Sequence, residues 1–177
     1  MKKLLLPLSC IIAISVSAQQ KNSLKVNPVS ILVGGGSDLV SYERAMSEHS
    51  SLGISAGYGE FKIDSYKYNY FGGNTFYRYY TKEVLHGLYF SGMIGIGGGK
   101  TKYRNENKNM KDTYSALELG GLIGYQWLFD SGFTIDISGG ASYMFFNYKE
   151  DHKMLKPNDA KVSGFLPSLG LGIGYSF

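Results

Sequence analysis

The chain has 177 residues, with 18 Lys and Arg against 14 Asp and Glu, a formal charge of +4. It carries 24 Gly, 15 Tyr and 10 Phe but only 4 Pro and 1 Cys. A length of this order suggests one domain. The charge is too small to point to nucleic acid, and an apolar content of 44% with no three-residue glycine period excludes disordered and collagen-like chains.

The first segment reads as an export signal. Lys2 and Lys3 precede an apolar run from Leu4 to Val16, and Val16-Ser17-Ala18 forms a small-residue cleavage site before Gln19. The run is short of the ~20 residues of a spanning helix. Cys10 lies within the run after Pro7-Leu8-Ser9, the wrong place for a lipid-attachment cysteine. Residues 1–18 are therefore expected to be a signal peptide and 19–177 the mature domain. That domain has no cysteine, hence no disulfide and no thiolate metal site.

Eight strands are expected in the mature domain. The first covers Lys25 to Val33 and turns at Gly34-Gly35-Gly36-Ser37. The second is Leu39 to Met46, followed by a polar turn at Ser47 to Ser50. The third is Ser51 to Ile63. The fourth runs from Tyr68 to Thr81, with a bulge at Gly72-Gly73. The fifth is Gly87 to Tyr103, and a polar loop from Arg104 to Asp112 follows. The sixth is Thr113 to Leu128, the seventh Phe133 to Asn147, and the eighth Lys161 to Phe177 after a long loop, Tyr148 to Ala160. No helical periodicity follows residue 18. An even count puts both termini on one side. The connections after the second, fourth and sixth strands are short, whereas those after the fifth and seventh are longer and polar; the one after the first is short and breaks the pattern.

Alternation is strict in several strands, and period two is the mark of a strand with two unlike faces. In the sixth, Leu117, Leu119, Gly121, Ile123, Tyr125 and Trp127 oppose Ala116, Glu118, Gly120, Leu122, Gly124 and Gln126. In the seventh, Ile135, Ile137, Tyr143 and Phe145 oppose Thr134, Asp136, Ser138 and Ser142. The last strand is the clearest. Leu169, Leu171, Ile173, Tyr175 and Phe177 alternate with Gly170, Gly172, Gly174 and Ser176. The small face is too bare for a water-facing surface and suits a tight interior, so the large face points to lipid. A mean hydropathy of −0.13 is compatible, because barrel strands show lipid only alternate residues. Aromatics gather at both strand ends: Tyr77, Tyr79, Trp127, Phe133, Tyr175 and Phe177 at the short-turn end, and Tyr58, Phe61, Tyr103, Tyr114, Tyr143 and Phe145 at the other. Two such belts suit two membrane interfaces.

These residues carry a resemblance. Asn27-Pro28, Ser41-Tyr42-Glu43-Arg44-Ala45, Ser51 to Tyr58 and Gly170 to Phe177 resemble the small eight-stranded outer-membrane barrels of the OmpA/OmpX type, and a Bacteroidota family of such barrels. The resemblance covers nearly the whole mature chain. It implies that Tyr175 and Phe177 form a C-terminal barrel signal read by the barrel-assembly machinery. It implies outer-membrane lipid as surroundings and a monomer. It says little about activity.

Motifs for chemistry are weak. Gly97-Gly98-Gly99-Lys100-Thr101 has the end of a phosphate loop, but the required earlier glycine is Ile94 and no helix follows. His49, His86 and His152 lie in turns and a loop, none on a strand beside a Ser and carboxylate at lumen or lipid-facing depth, so a lipid-modifying triad is hard to assemble and scattered histidines make a weak metal site. No catalytic residue, cofactor or metal is expected. Four polar residues share the inward parity near the short-turn end: Glu43, Arg78, Gln126 and Asp136. One guanidinium against two carboxylates would form a buried network that fills the lumen. Glu118 also faces inward, nearer the other end, with no assigned partner. Lys100, Lys102, Arg104, Lys108, Lys111, Lys149, Lys153, Lys156 and Lys161 form a basic rim, diluted by Glu106, Asp112, Glu150, Asp151 and Asp159, that suits either lipopolysaccharide phosphates or ordinary solvated loops.

The expectation is an all-β protein, an eight-stranded antiparallel up-and-down transmembrane β-barrel of the outer membrane with a plugged lumen. Its role is structural or surface-interactive, without nucleic acid. The alternatives are a soluble, lipocalin-like periplasmic barrel for a small hydrophobic ligand, and a lipid-modifying enzyme.

Overall fold

The computed structural model describes residues 20–32, 38–63, 66–105, 108–149 and 161–177. The expected signal peptide, the turn at Gly34–Ser37 and the loop at 150–160 lie outside the described residues. The elements are β1 (Asn22–Val26), helix α1 (Pro28–Leu32), β2 (Val40–Ala45), β3 (Ser50–Ile63), β4 (Tyr66–Tyr80), β5 (Gly87–Asn105), β6 (Lys108–Leu128), β7 (Phe133–Lys149) and β8 (Lys161–Ser176). The strands pair in sequence order and close into one antiparallel barrel. β8 returns to β1 through Ser23↔Ser176 to Val26↔Ile173.

The registers fix the stagger of the barrel. A row of paired residues leaves β8 at Gly174 and passes through Lys25, Ser41, Ser55, Asn74, Gly95, Glu118 and Met144 before it re-enters β8 at Gly164. The offset is ten residues (174 − 164 = 10). Such a shear tilts the strands and sets a diameter that eight strands fill with side chains.

Three sequence expectations need correction. β1 ends at Val26, not Val33. Pro28 has no N–H for a ladder and suits the first turn of a helix. Asn27 caps that turn, its Oδ1 accepting from the Ser30 backbone N–H at 3.1 Å. The connection from β1 to β2 is therefore long, running from 27 to 39. No bulge interrupts β4: Ala56↔Gly73 and Gly57↔Gly72 pair in step with the rungs on either side. The glycines there have another cause, given below. The segment Arg104 to Asp112 is not a loop, because β5 continues to Asn105 and β6 starts at Lys108. Lys102, Arg104, Lys108 and Lys111 accordingly belong to a tall β5–β6 hairpin.

The polarity of the two faces is inverted relative to a soluble core. Leu52, Ile54, Phe71, Ile94, Ile96, Leu119, Ile123 and Leu169 are exposed on the outside. Lys25, Glu43, Ser51, Gln126, Thr134 and Asp136 are buried inside. The wall is uneven: β5 and β6 have 19 and 21 residues, while β1 and β2 have 5 and 6. Past Ala56, β3 pairs only with β4, and from Gly172 back to Lys161, β8 pairs only with β7. α1 sits against β8 beside this step.

Candidate functional site: the ionic plug of the lumen

Alternation brings eight polar side chains from seven strands together near one level of the lumen. Lys25 projects inward because Leu24 and Val26 project out. Its ammonium donates all three protons, at 2.7 Å to Glu43 Oε2, 2.8 Å to Gln126 Oε1 and 2.8 Å to Asp136 Oδ2. Arg78 addresses the same three acceptors through Nη1, at 3.1 Å to Glu43, 3.2 Å to Gln126 and 2.5 Å to Asp136. The other carboxylate oxygens are also served. Glu43 Oε1 accepts from Ser51 Oγ at 2.5 Å and Tyr80 Oη at 2.7 Å, and Asp136 Oδ1 accepts from Tyr89 Oη at 2.6 Å. The Arg78 guanidinium lies 4.1 Å from the Tyr89 ring centroid and 4.8 Å from that of Phe76. Two cations face two anions, so the cluster is neutral. Charges this deep persist only when paired and hydrogen-bonded.

Glycines make the room. The Tyr89 ring occupies the space a Cβ on Gly124 would take, and Phe76 does the same at Gly53. On β8, a Cβ at Gly172 would stand 3.2 Å from Asp136 Cβ and 3.4 Å from Lys25 Cδ. Tyr70 lies over Gly72 and Gly97 in the same way. This explains Gly72 without a bulge, while a Cβ on Gly73 would meet the Ser55 carbonyl oxygen at 2.6 Å. The alternation of β4 is irregular for the same reason: several of its inward residues are large, and glycines on the paired strands make room for them.

Below the plug the lumen is stoppered by apolar groups. The β4–β5 connection folds under the barrel, with Val84 N–H bonded to the Glu48 carbonyl at 2.8 Å. Val84, Leu85, Tyr80 and Tyr89 pack into one buried cluster, with Ala45 and Leu128 against it. Leu85 takes φ +66 to turn inward. Water is thus kept from the ionic cluster on that side, which strengthens every charge interaction within it.

The structure brings Glu43, Arg78, Gln126 and Asp136 together and leaves Glu118 apart, in a cavity above them. Lys25, Ser51, Tyr80 and Tyr89 were missed in the sequence. The signal for Lys25 was its parity with Ser23 between two apolar neighbours; for Tyr80 it was its parity with Arg78. Tyr175 and Phe177 face outward, half-exposed, and the Phe177 carbonyl accepts from the backbone of Lys21 and Asn22 at 3.0 and 2.8 Å. In the far belt, Tyr58 and Phe145 are exposed, whereas Tyr114 turns inward and donates to the Asn69 carbonyl at 3.4 Å. Gly97 to Thr101 are continuous strand, paired on both sides. His49 stacks at 6.2 Å from Tyr79, His86 bridges to Glu83, and His152 lies outside the described residues. Among the described residues no group of three or more His, Cys, Asp or Glu is placed to hold a metal ion.

The chain belongs to the family described as Protein of unknown function (DUF3575), which matches residues 4–163. No curated protein matches it.

Proposed function

We propose that this chain is an integral outer-membrane β-barrel of the OmpA/OmpX type with a closed lumen, exported through residues 1–18. Its role is structural or surface-interactive rather than catalytic. The observation that carries the reading is the inverted polarity. Leu169 is 82% and Phe165 77% exposed, while Lys25 is 2% and Glu43 0% exposed. An apolar belt around the whole barrel is far beyond what a soluble monomer leaves in water, and it suits hydrocarbon. The ionic interior argues against a lipocalin-like binder, whose cavity would be apolar. Outer-membrane lipid is the immediate partner, lipopolysaccharide phosphates suit exposed Lys100 at the rim, the barrel-assembly machinery inserts the chain, and the barrel works as a monomer.

One observation favours the soluble alternative. β1 and β2, with 5 and 6 residues, fall short of the about 9–11 residues of a spanning strand. Membrane fractionation with boiled and unboiled gel samples separates the two. The proposal expects outer-membrane recovery, a heat-dependent shift in migration and a mature chain beginning at Gln19. Recovery in the soluble periplasmic fraction without detergent would refute it.

A further inference from the structure

Above the ionic plug the lumen keeps a cavity of about 150 Å³, with Lys25, Arg78 and Asp136 of the plug in its lining together with Asp38, Asn74, Phe76, Met93, Glu118 and Leu122. Glu118 is 7% exposed and makes no hydrogen bond or ion pair with any described residue. The plug beneath cannot supply its counter-charge, because Lys25 and Arg78 are already matched by Glu43 and Asp136. A carboxylate buried without a partner is costly. The cavity is therefore short of one positive charge.

The register shapes the place for that charge. Asn74, Gly95 and Glu118 are successive members of one inward row. A Cβ on Gly95 would stand 3.1 Å from Asn74 Cβ and 3.4 Å from Glu118 Oε2. The bare glycine leaves a cradle between an amide and a carboxylate. Of the three carboxylates in the lining, Asp136 is held by Lys25 and Arg78, and Asp38 accepts from Asn27 Nδ2 at 2.6 Å and Ser30 Oγ at 2.7 Å, so Glu118 alone is left to meet a monovalent cation; no cluster of three or more metal-ligating side chains forms among the described residues. Phe76, Met93 and Leu122 add apolar wall. A cavity of this volume takes a benzene-sized guest.

We propose that this cavity binds a primary ammonium group on a short apolar stem, with Glu118 as counter-ion and Asn74 as second oxygen donor. The site reaches the outside of the barrel, since its lining runs to Val26, Leu169 and Leu171, where β1 has stopped and β8 pairs only with β7. A soluble amine or an amine-bearing lipid headgroup could each supply the ammonium. The proposal does not depend on the membrane reading, because the cavity is the same in either surrounding.

The test is a titration of folded mature protein with n-propylammonium, read by the methyl resonance of Met93. Saturable shifts are expected, with n-propanol and propionate inert. Glu118→Gln should weaken binding about ten- to a hundredfold, the weight of one charge-assisted hydrogen bond, and leave thermal stability equal or higher. Gly95→Ala should weaken binding by narrowing the cradle. Asp130→Asn, in an exposed turn, should bind as wild type. Bicelles with phosphatidylethanolamine, compared with phosphatidylglycerol, distinguish the sources: a Met93 shift there assigns the ammonium to lipid, and a shift with free amine alone assigns it to solute. No saturable shift with either source, equal binding of propanol, or wild-type binding by Glu118→Gln overturns the proposal. So does a Glu118→Gln protein that loses stability, since its carboxylate would then have a fixed partner.

Discussion

Lys25→Met tests whether the plug holds the barrel together. Methionine keeps most of the length and volume but removes the ammonium. Three acceptors, Glu43 Oε2, Gln126 Oε1 and Asp136 Oδ2, each lose a donor at 2.7–2.8 Å. The cluster then has Arg78 alone against two carboxylates, and one negative charge stays buried without compensation. Breaking a buried pair typically costs about 3–5 kcal/mol. For a chain of this size that is a fall in Tm of roughly 6–20 °C, at about 2–4 °C per kcal/mol. The second half of the test is the double substitution Lys25→Met with Asp136→Asn. Neutrality returns, so the double variant should be more stable than the sum of the singles by about 1–3 kcal/mol. Thermal and urea unfolding of folded mature protein measure both quantities. A Lys25→Met protein within about 1 kcal/mol of wild type, or strict additivity in the double variant, would refute the reasoning.

Other predictions concern the wall and the lumen. Ile123→Arg, on the outward face of β6, should cost roughly 2–4 kcal/mol of insertion, whereas Asp130→Arg in the exposed turn should cost little; equal tolerance would count against a lipid-facing wall. Gly124→Val should lower stability by about 1–3 kcal/mol, because its side chain meets the Tyr89 ring and the Ile137 carbonyl; an unchanged Tm would show that Tyr89 is not held there. Wild-type protein in a planar bilayer should pass no steady current, since eight strands leave no aqueous channel beside packed side chains, and Arg78→Ala should conduct more or unfold earlier. A steadily conducting wild type, indifferent to that substitution, would mean the plug is open.

The fold was legible because side-chain parity is a local property. Strands such as β6 and β7 alternate so cleanly that outward Leu119 and Ile123, and inward Gln126 and Asp136, could be assigned residue by residue. The same parity identifies four members of the plug, Glu43, Arg78, Gln126 and Asp136. It failed where large residues face inward. Tyr70 and Phe76 on β4 hide the alternation, because Gly97 and Gly53 on the paired strands provide space for them, and strand pairing is not written locally. Lys25 was missed for a related reason: on a five-residue strand, two apolar neighbours are a thin pattern. The end of β1 was misjudged because Val29, Ile31 and Leu32 continue the apolar run, while the helix that contains them is set by Asn27 and Pro28. The separation of Glu118 from the plug was legible on one strand, since Glu118 and Gln126 stand eight residues apart (126 − 118 = 8) on β6.

The join between β1 and β8 rests on four rungs, against nineteen between β5 and β6. A cylinder breathes at its weakest seam, so the amides of residues 22–26 should exchange faster than those in the middle of β6. At that seam Lys25 acts as a clasp. Its stem passes over Gly172 and Gly174 of β8, and its ammonium grips side chains of the neighbouring β2 and of β7 and β6 beyond β8. A strand too short to hold its place by ladder bonds is thereby pinned from within, and closing the ring and charging the plug become a single event.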